Sequence, residues 1–221
     1  MMGMKPTSTS IIELDTELEL KHLVEEQHHV AAVGQAKSVH RIAQCYFRPA
    51  LAEFHADEVP CRISVAGLPL SFKATEKQRR TLLAILDQTP DPTVRLRRMD
   101  TDWIFTVKGL SMDEGTLEFE VQIPQEEGEA LVPHAHQALD KVRHMVVEEG
   151  YLWEVDVYLG KLDGLVVAEL ENRNYTVFPP AQLPAWAGLD VTNDFRYKNI
   201  RLAAMQTGDV QALLNEVSPR P

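Results

Sequence analysis

The sequence predicts an α+β protein built on eight antiparallel strands, of the kind that closes into a barrel, with a few short helices around it. Three observations lead there. Segments that alternate apolar and polar residues recur through the chain. Short turn-rich joints separate many of them, which sets successive strands side by side. Helical periodicity is confined to short stretches.

The first strand covers Glu13 to Val24, where Leu14, Leu18, Leu20 and Val24 alternate with polar residues for most of its length. Arg41 to Phe47 is the second. Residues 48–92 are mixed: Arg62 to Phe72 suits a short hairpin about Gly67. Thr75 to Asp87 suits an amphipathic helix carrying Leu82, Leu83, Ile85 and Leu86, ended by Pro90 and Pro92. Val94–Met99, Trp103–Gly109 and Thr116–Ile123 follow as strands, the first two joined by a turn at Asp100–Asp102. Pro124 to Ala138 is loop and helix, shortened by Gly128 and Pro133. Lys141–Val147, Tyr151–Leu159 and Leu165–Glu171 complete a meander, with turns at Glu148–Gly150 and Gly160–Gly164. A proline-rich crossing spans Pro179–Trp186, and Ile200 to Val217 is helical with a break near Gly208.

The chain has 221 residues, 44% hydrophobic and 25% charged, enough for one large globular domain. Residues 1–11 read as a loose arm and 12–221 as the domain. A formal charge of -11 argues against nonspecific nucleic-acid binding, which needs a basic surface. Cys45 and Cys61 have neither metal-ligand spacing nor a disulfide framework, which suits a reducing compartment. The N-terminus lacks an apolar secretory core, and no run approaches the ~20 apolar residues that span a bilayer. A soluble cytoplasmic protein is expected, without nucleic-acid or membrane partners, as a monomer or homodimer.

Residues i and i+2 share a face of a strand. Here such pairs are often like-signed: Glu17 and Glu19, Arg95 and Arg97, Glu118 and Glu120, Lys141 and Arg143, Glu154 and Asp156, Glu169 and Glu171. Lys21 shares the face of Glu17 and Glu19, and Lys108 that of Thr106. Taken strand by strand, the ordinary reading is a polar face in water over an apolar core. Neighbours roughly 7 Å apart repel by about 2 kcal/mol per pair at an effective dielectric of 20, and far less in open water. Taken together, the pairs form a better set closed inward around a charged channel. Carboxylates there collect Mg²⁺ or Mn²⁺, which prefer oxygen, and Arg and Lys hold a polyanion.

The segment Glu17-Leu18-Glu19-Leu20-Lys21 matches the ExExK motif that opens the CYTH proteins, the triphosphate tunnel metalloenzyme superfamily. In order, Gln44-Cys45-Tyr46-Phe47, Val94-Arg95-Leu96-Arg97, Thr106-Val107-Lys108-Gly109, Glu118-Phe119-Glu120, Lys141-Val142-Arg143, Trp153-Glu154-Val155-Asp156 and Ala168-Glu169-Leu170-Glu171 resemble its later strands. Asp190 to Asn199 resembles its C-terminal segment. The resemblance covers about residues 13–24 and 94–203. Residues 48–92 depart from it and read as an insertion or lid. The resemblance implies an eight-stranded antiparallel closed β-barrel with a charged interior, a triphosphate tunnel open at both ends. The implied activity is metal-dependent hydrolysis of a small triphosphate, first of all inorganic triphosphate. The alternatives are a class IV-like adenylate cyclase, a polyphosphate- or nucleotide-binding module without turnover, and a plain structural barrel.

On this resemblance the metal ligands are Glu17, Glu19, Glu169 and Glu171, with Asp156 or Glu154 assisting a second Mg²⁺ or Mn²⁺. Lys21, Arg95, Arg97, Lys108, Lys141, Arg143, Arg196 and Lys198 cradle phosphates. Glu118 and Glu120 serve as ligands or, better, orient the basic side chains, as Glu154 does. Lys141 with Tyr46 is an alternative water-activating pair. His28 and His29 share no face and read as solvated; His134 and His136 have a poor metal spacing. Trp103, Trp153 and Trp186 read as packing residues, and Lys77, Arg79 and Arg80 as a solvated helix face.

Overall fold

A computed structural model describes residues 16–17, 19–112, 115–171 and 179–217. The arm expected over 1–11 and the first three residues of the expected leading strand lie outside them. The larger of two sheets contains β1 (Thr16–Glu17), β2 (Glu19–Leu23), β3 (Ala36–Phe47), β7 (Thr93–Met99), β8 (Asp102–Met112), β9 (Gly115–Ile123), β10 (Gln137–Glu148), β11 (Tyr151–Tyr158) and β12 (Val166–Glu171). A small sheet holds β4 (Ala52–His55), β5 (Arg62–Val65) and β6 (Leu68–Pro69). The helices are α1 (His29–Val33), α2 (Glu76–Gln88), α3 (Gln125–Leu131), α4 (Asn199–Ala204) and α5 (Thr207–Val217).

The large sheet runs β1-β9-β8-β7-β3-β10-β11-β12-β2, antiparallel throughout. Counting β1 and β2, the described parts of residues 16–23, as one strand, it has the eight strands expected, curled and flanked by helices. Two expectations need correction. The strands are not one continuous meander. β10 follows β9 in the chain, yet the link through α3 carries it to the far edge of β3, opposite β7. Nor is the hydrogen-bonded order a closed ring. β1 lies on β9, but β2 lies on β12. The other edge of β2 is taken by the segment after the proline-rich crossing, through Leu23 N to Leu189 O, Gly188 N to Leu23 O and Val191 N to Lys21 O.

Local chemistry explains the joints. Ala66–Gly67 and Glu149–Gly150 carry two successive positive φ angles, 52° and 78°, then 53° and 80°. Two such residues give a hairpin turn whose twist matches that of the strands. α2 starts with a capping box. Thr75 Oγ1 accepts from Gln78 N, and Gln78 Oε1 accepts from Thr75 N. Its Thr81, Leu82 and Ile85 fall on one face and are buried.

The outward faces of the strands are the apolar ones. Val94, Leu96, Phe105, Val107, Phe119 and Val121 pack with Ile63, Val65, Leu82 and Ile85, so α2 and the small sheet cover the outer wall of β7–β9. Trp153, Val155, Ala168 and Leu170 pack with Trp186 and Ala32 on the other outer wall. α3 closes tightly on the first wall. A Cβ added at Gly128 would sit 2.3 Å from the Trp103 ring. Gly128→Ala is therefore expected to cost about 1–3 kcal/mol through overpacking, read from the urea unfolding midpoint.

The inner face changes character along its length. At one end Leu23, Tyr46, Leu139, Tyr158 and Val167 point inward and pack with Leu202, Ala203, Val210 and Leu213 of α4 and α5. The channel implied as open at both ends is thus filled at this one. The filling is hydrophobic: these strand ends carry apolar residues on the inner face, and the C-terminal helices bury them.

Candidate active site

Beyond that plug the inner face carries the charged pairs, and the register determines which of them meet. Directly opposite residues of an antiparallel pair share a face. Glu171 faces Glu19, Glu169 faces Lys21, Glu154 faces Glu169, Asp156 faces Arg143, and Lys141 faces Tyr158. On the other half, Arg95 faces Thr106, Thr106 faces Glu120 and Lys108 faces Glu118.

Arg143 is the hub of the first cluster. Its Nε and Nη2 donate to the two oxygens of Asp156, each at 2.7 Å, and Nη2 also reaches Glu169 Oε2 at 3.0 Å. Nη1 donates to Glu154. Lys141 Nζ donates to Asp156 Oδ2 at 2.5 Å and lies 5.4 Å from the Tyr158 ring centroid. Lys21 Nζ is 2.8 Å from Glu169 Oε1 and 3.5 Å from Glu19 Oε1. In the second cluster Arg95 Nη2 reaches Thr106 Oγ1 at 3.1 Å, Glu118 Oε1 at 3.2 Å and Glu120 Oε1 at 3.0 Å. Arg97 Nη2 shares Glu120 Oε1 at 3.1 Å, and Lys108 Nζ is 3.2 Å from Glu118 Oε1.

Burial sharpens these interactions. It opposes the charges of Lys21, Lys141, Arg143 and Glu169, and their partners decide the outcome. Lys21 is buried, yet Glu169 and Glu19 hold its ammonium above the ordinary lysine value. Glu169 is buried too, and Lys21, Lys141 and Arg143 hold its carboxyl well below the usual carboxylate range. Arg143 is held above its ordinary value against burial, chiefly by Asp156. Lys141 goes the other way: burial lowers it, only partly offset by Asp156. Arg97 is lowered by burial and by Arg95 beside it. Burial raises Glu120, but Arg95 and Arg97 outweigh it and bring it below the ordinary value. The Tyr46 hydroxyl, buried and donating to Gln44 Oε1 at 2.8 Å, is pushed up to about 12. Burial is the main cause, and the nearby charges of Arg95 and Lys108 work against it.

Glu169 makes the site acid-sensitive in a stated direction. Its folded-state pKa lies below the ordinary 4.5. Its contribution to stability is therefore complete above that value and is lost as pH falls through the folded-state pKa. Urea midpoints are expected to hold from pH 7 to 5 and to fall below about pH 4.5, and Glu169→Gln removes that share of the fall.

Lys21, Arg95, Arg97, Lys108, Lys141, Arg143, Glu19, Glu118, Glu120, Glu154, Asp156, Glu169 and Glu171 therefore lie on one inner face. The side chain of Glu17 lies outside the described set, although its backbone pairs with Thr116. Among the described residues no three His, Cys, Asp or Glu side chains form a group arranged to hold a metal ion. Arg196 pairs with Asp194, two residues before it, at 2.7 Å, and Lys198 is exposed beside it. Tyr46 faces Arg95, while Lys141 lies opposite Ile42 and Tyr158. The sequence reading missed Thr106 as a bridge between Arg95 and Glu120, Gln44 as the partner of Tyr46, and Tyr158 beside Lys141. The same alternation could have found Tyr158, which is two residues beyond Asp156.

No family profile matches the chain. Individual proteins do. An inorganic triphosphatase of Acetivibrio thermocellus is 37% identical over 115 residues, 51% of this chain and 72% of that protein. One of Nitrosomonas europaea is 34% identical over 122 residues, 52% of this chain and 78% of that protein. A crystal structure of an inorganic triphosphatase, 24% identical, covers 87% of this chain and 97% of its own, with a TM-score of 0.49. The chain belongs to the inorganic triphosphatases of the CYTH superfamily, the triphosphate tunnel metalloenzymes.

Proposed function

We propose that this protein hydrolyses inorganic triphosphate inside its curled sheet, with a divalent cation, Mg²⁺ or Mn²⁺, as cofactor. The observation that carries the reading is the facing of like charges. Glu19 lies directly opposite Glu171, next to a bank of buried arginines and lysines. Like charges directly opposite on a sheet destabilise it. On the inner face the described carboxylates outnumber the basic side chains, so a triphosphate meets a net negative lining. A divalent cation resolves both problems.

The donor set fits a hard cation, because it offers carboxylate oxygens and no thiolate or imidazole. Glu19, Glu169 and Glu171 are not gathered around one point among the described residues; they would turn to hold it, with Glu17 from the same strand segment. Bound there, a divalent cation would supply charge to offset phosphoryl oxygens and would acidify a water for in-line attack. The protein's own groups do the rest. Arg95, Arg97 and Lys108 hold phosphoryl oxygens from one side, and Lys21, Lys141 and Arg143 from the other. They take up the charge that develops on the leaving oxygen. Glu118, Glu120, Glu154 and Asp156 fix the basic side chains in place, and both Asp156 oxygens already meet Arg143. The N-terminal segment lines both edges of the curled sheet, one part on β9 and the next on β12. Residues 48–92 serve as its outer cover rather than a lid. Arg79 and Arg80 of α2 are turned to Glu76 on the solvent side. The free thiols of Cys45 and Cys61 suit a reducing cytoplasm. No helix among the described residues is long and apolar enough to cross a membrane.

The test is phosphate release from inorganic triphosphate and from ATP, each with Mg²⁺, with Mn²⁺ and with chelator. Release from inorganic triphosphate that needs the metal and exceeds that from ATP supports the proposal. Pyrophosphate and cyclic nucleotide from ATP would make the protein a cyclase instead. Saturable triphosphate binding without product would make it a binding module.

A further inference from the structure

Away from the plug, three side chains that the triphosphatase reading does not use are hydrogen-bonded in a line. Ser38 Oγ is 2.9 Å from His40 Nε2, and His40 Nδ1 is 2.7 Å from Asp100 Oδ2. Asp100 occupies the β7–β8 turn with φ 54° and is held there by Arg41. Its backbone N donates to Arg41 O at 2.9 Å, and its Oδ1 accepts from Arg41 N at 3.0 Å. The carboxylate is thus fixed on the imidazole's Nδ1. With Nδ1–H donating to Asp100, neutral His40 presents Nε2 as an acceptor to the serine hydroxyl. Burial does not block the array: Ser38 is exposed, and the side chains of His40 and Asp100 are 28% and 50% exposed.

The backbone adds a donor. Arg41 points its N–H and C=O at the Asp100 edge of β3, so by antiparallel alternation Val39 points its own to the same edge. Among the described residues β7 pairs with β3 only as far as Met99 opposite Ile42, which leaves the Val39 N–H beyond the end of that strand. This is the N–H of the residue that follows the serine, a position from which it can stabilise an oxyanion. Met145 lies directly opposite Ser38 and offers one apolar wall to a short acyl chain, while Arg143 lies opposite His40 on the same face.

We propose that Ser38, His40 and Asp100 form a second hydrolytic centre, at the mouth away from the plug, that cleaves short-chain acyl esters. Ser38 Oγ attacks the carbonyl carbon while its proton passes to His40 Nε2. The bond to the alcohol oxygen breaks, and the alcohol leaves with the proton from His40. Water then adds to the acyl-serine, giving a proton to His40, and its collapse releases the carboxylic acid and returns the proton to Ser38. Ser38 and His40 are the catalytic residues. Asp100 stays ionised and acts as a positioning residue.

The experiment uses the full chain with chelator present, so that metal-dependent hydrolysis is silent whether or not that reading holds. The probes are a fluorophosphonate, with the modified peptide mapped by mass, and p-nitrophenyl acetate. The expected result is covalent label on Ser38, and ester turnover that Ser38→Ala returns to the uncatalysed rate. Asp100→Asn, which keeps the Arg41 contact but not the imidazole's tautomer, is expected to lower kcat by about 10³–10⁴-fold with KM and the unfolding midpoint unchanged. Ser38→Ala should keep the wild-type unfolding midpoint, which shows that the loss is not unfolding. No label on Ser38, label that persists in Ser38→Ala, or turnover indifferent to Asp100→Asn overturns the proposal.

Discussion

Arg143→Ala is expected to damage both stability and activity more than any other single change on the inner face. The side chain is 6% exposed and contacts Asp156, Glu154 and Glu169 at once. Its removal leaves three buried carboxylates short of a common cation. Breaking a buried ion pair from one side costs about 3–5 kcal/mol, because the abandoned charge stays desolvated. The urea midpoint should fall accordingly. Arg143→Lys should recover only part of it, since an ammonium cannot bind both Asp156 oxygens as the guanidinium fork does. In protein that remains folded, kcat/KM for triphosphate should fall by about 10²–10³-fold or more, the scale seen when a group stabilising the developing charge is lost. An Arg143→Ala protein with wild-type stability and turnover would mean that the cluster is neither a structural hub nor a phosphate cradle.

The second expectation has opposite signs with and without metal. Glu171 faces Glu19 across β12 and β2. Without metal, Glu171→Gln removes a like-charge repulsion and should leave the melting temperature unchanged or slightly higher. With Mg²⁺ or Mn²⁺, the wild type should gain stability by the mass-action relation for a ligand that binds only the folded state. The variant should lose most of that gain, and triphosphate hydrolysis with it. Melting curves at a series of metal concentrations, run beside phosphate release, separate the two effects. A variant with the full metal-dependent rise would remove Glu171 from the ligand set. A wild type with no rise would remove the metal from this pair altogether.

Much of the fold is local and so can be read along the chain. The helix over Glu76–Gln88 carries its start signal in Thr75 and Gln78 and its buried stripe at Leu82 and Ile85. The hairpin about Gly67 follows from a residue type that tolerates positive φ. Where that patterning fades, so does the reading. β3 begins at Ala36, five residues before the expected start, because Lys37, Ser38 and His40 break the alternation. β4 was missed for a similar reason: Ala52–His55 is too short to show a period. Ser38, His40 and Asp100 gave no signal at all, since a histidine's two partners, one of them 60 positions away, leave no spacing to recognise.

The sequence by itself determined which side chains share a face, because a strand's two-residue period is a property of its own backbone. It therefore delivered the pairs of like charge and, with the order of the motifs, the family. Tertiary structure decided how those pairs are combined. It carried β10 to β3 rather than β9, set Glu171 against Glu19 and Arg143 against Asp156, and folded the C-terminal helices into one end of the interior. These outcomes depend on register and on the burial of apolar surface between distant segments. Both are settled by the free energy of the whole assembled sheet and not by any one strand.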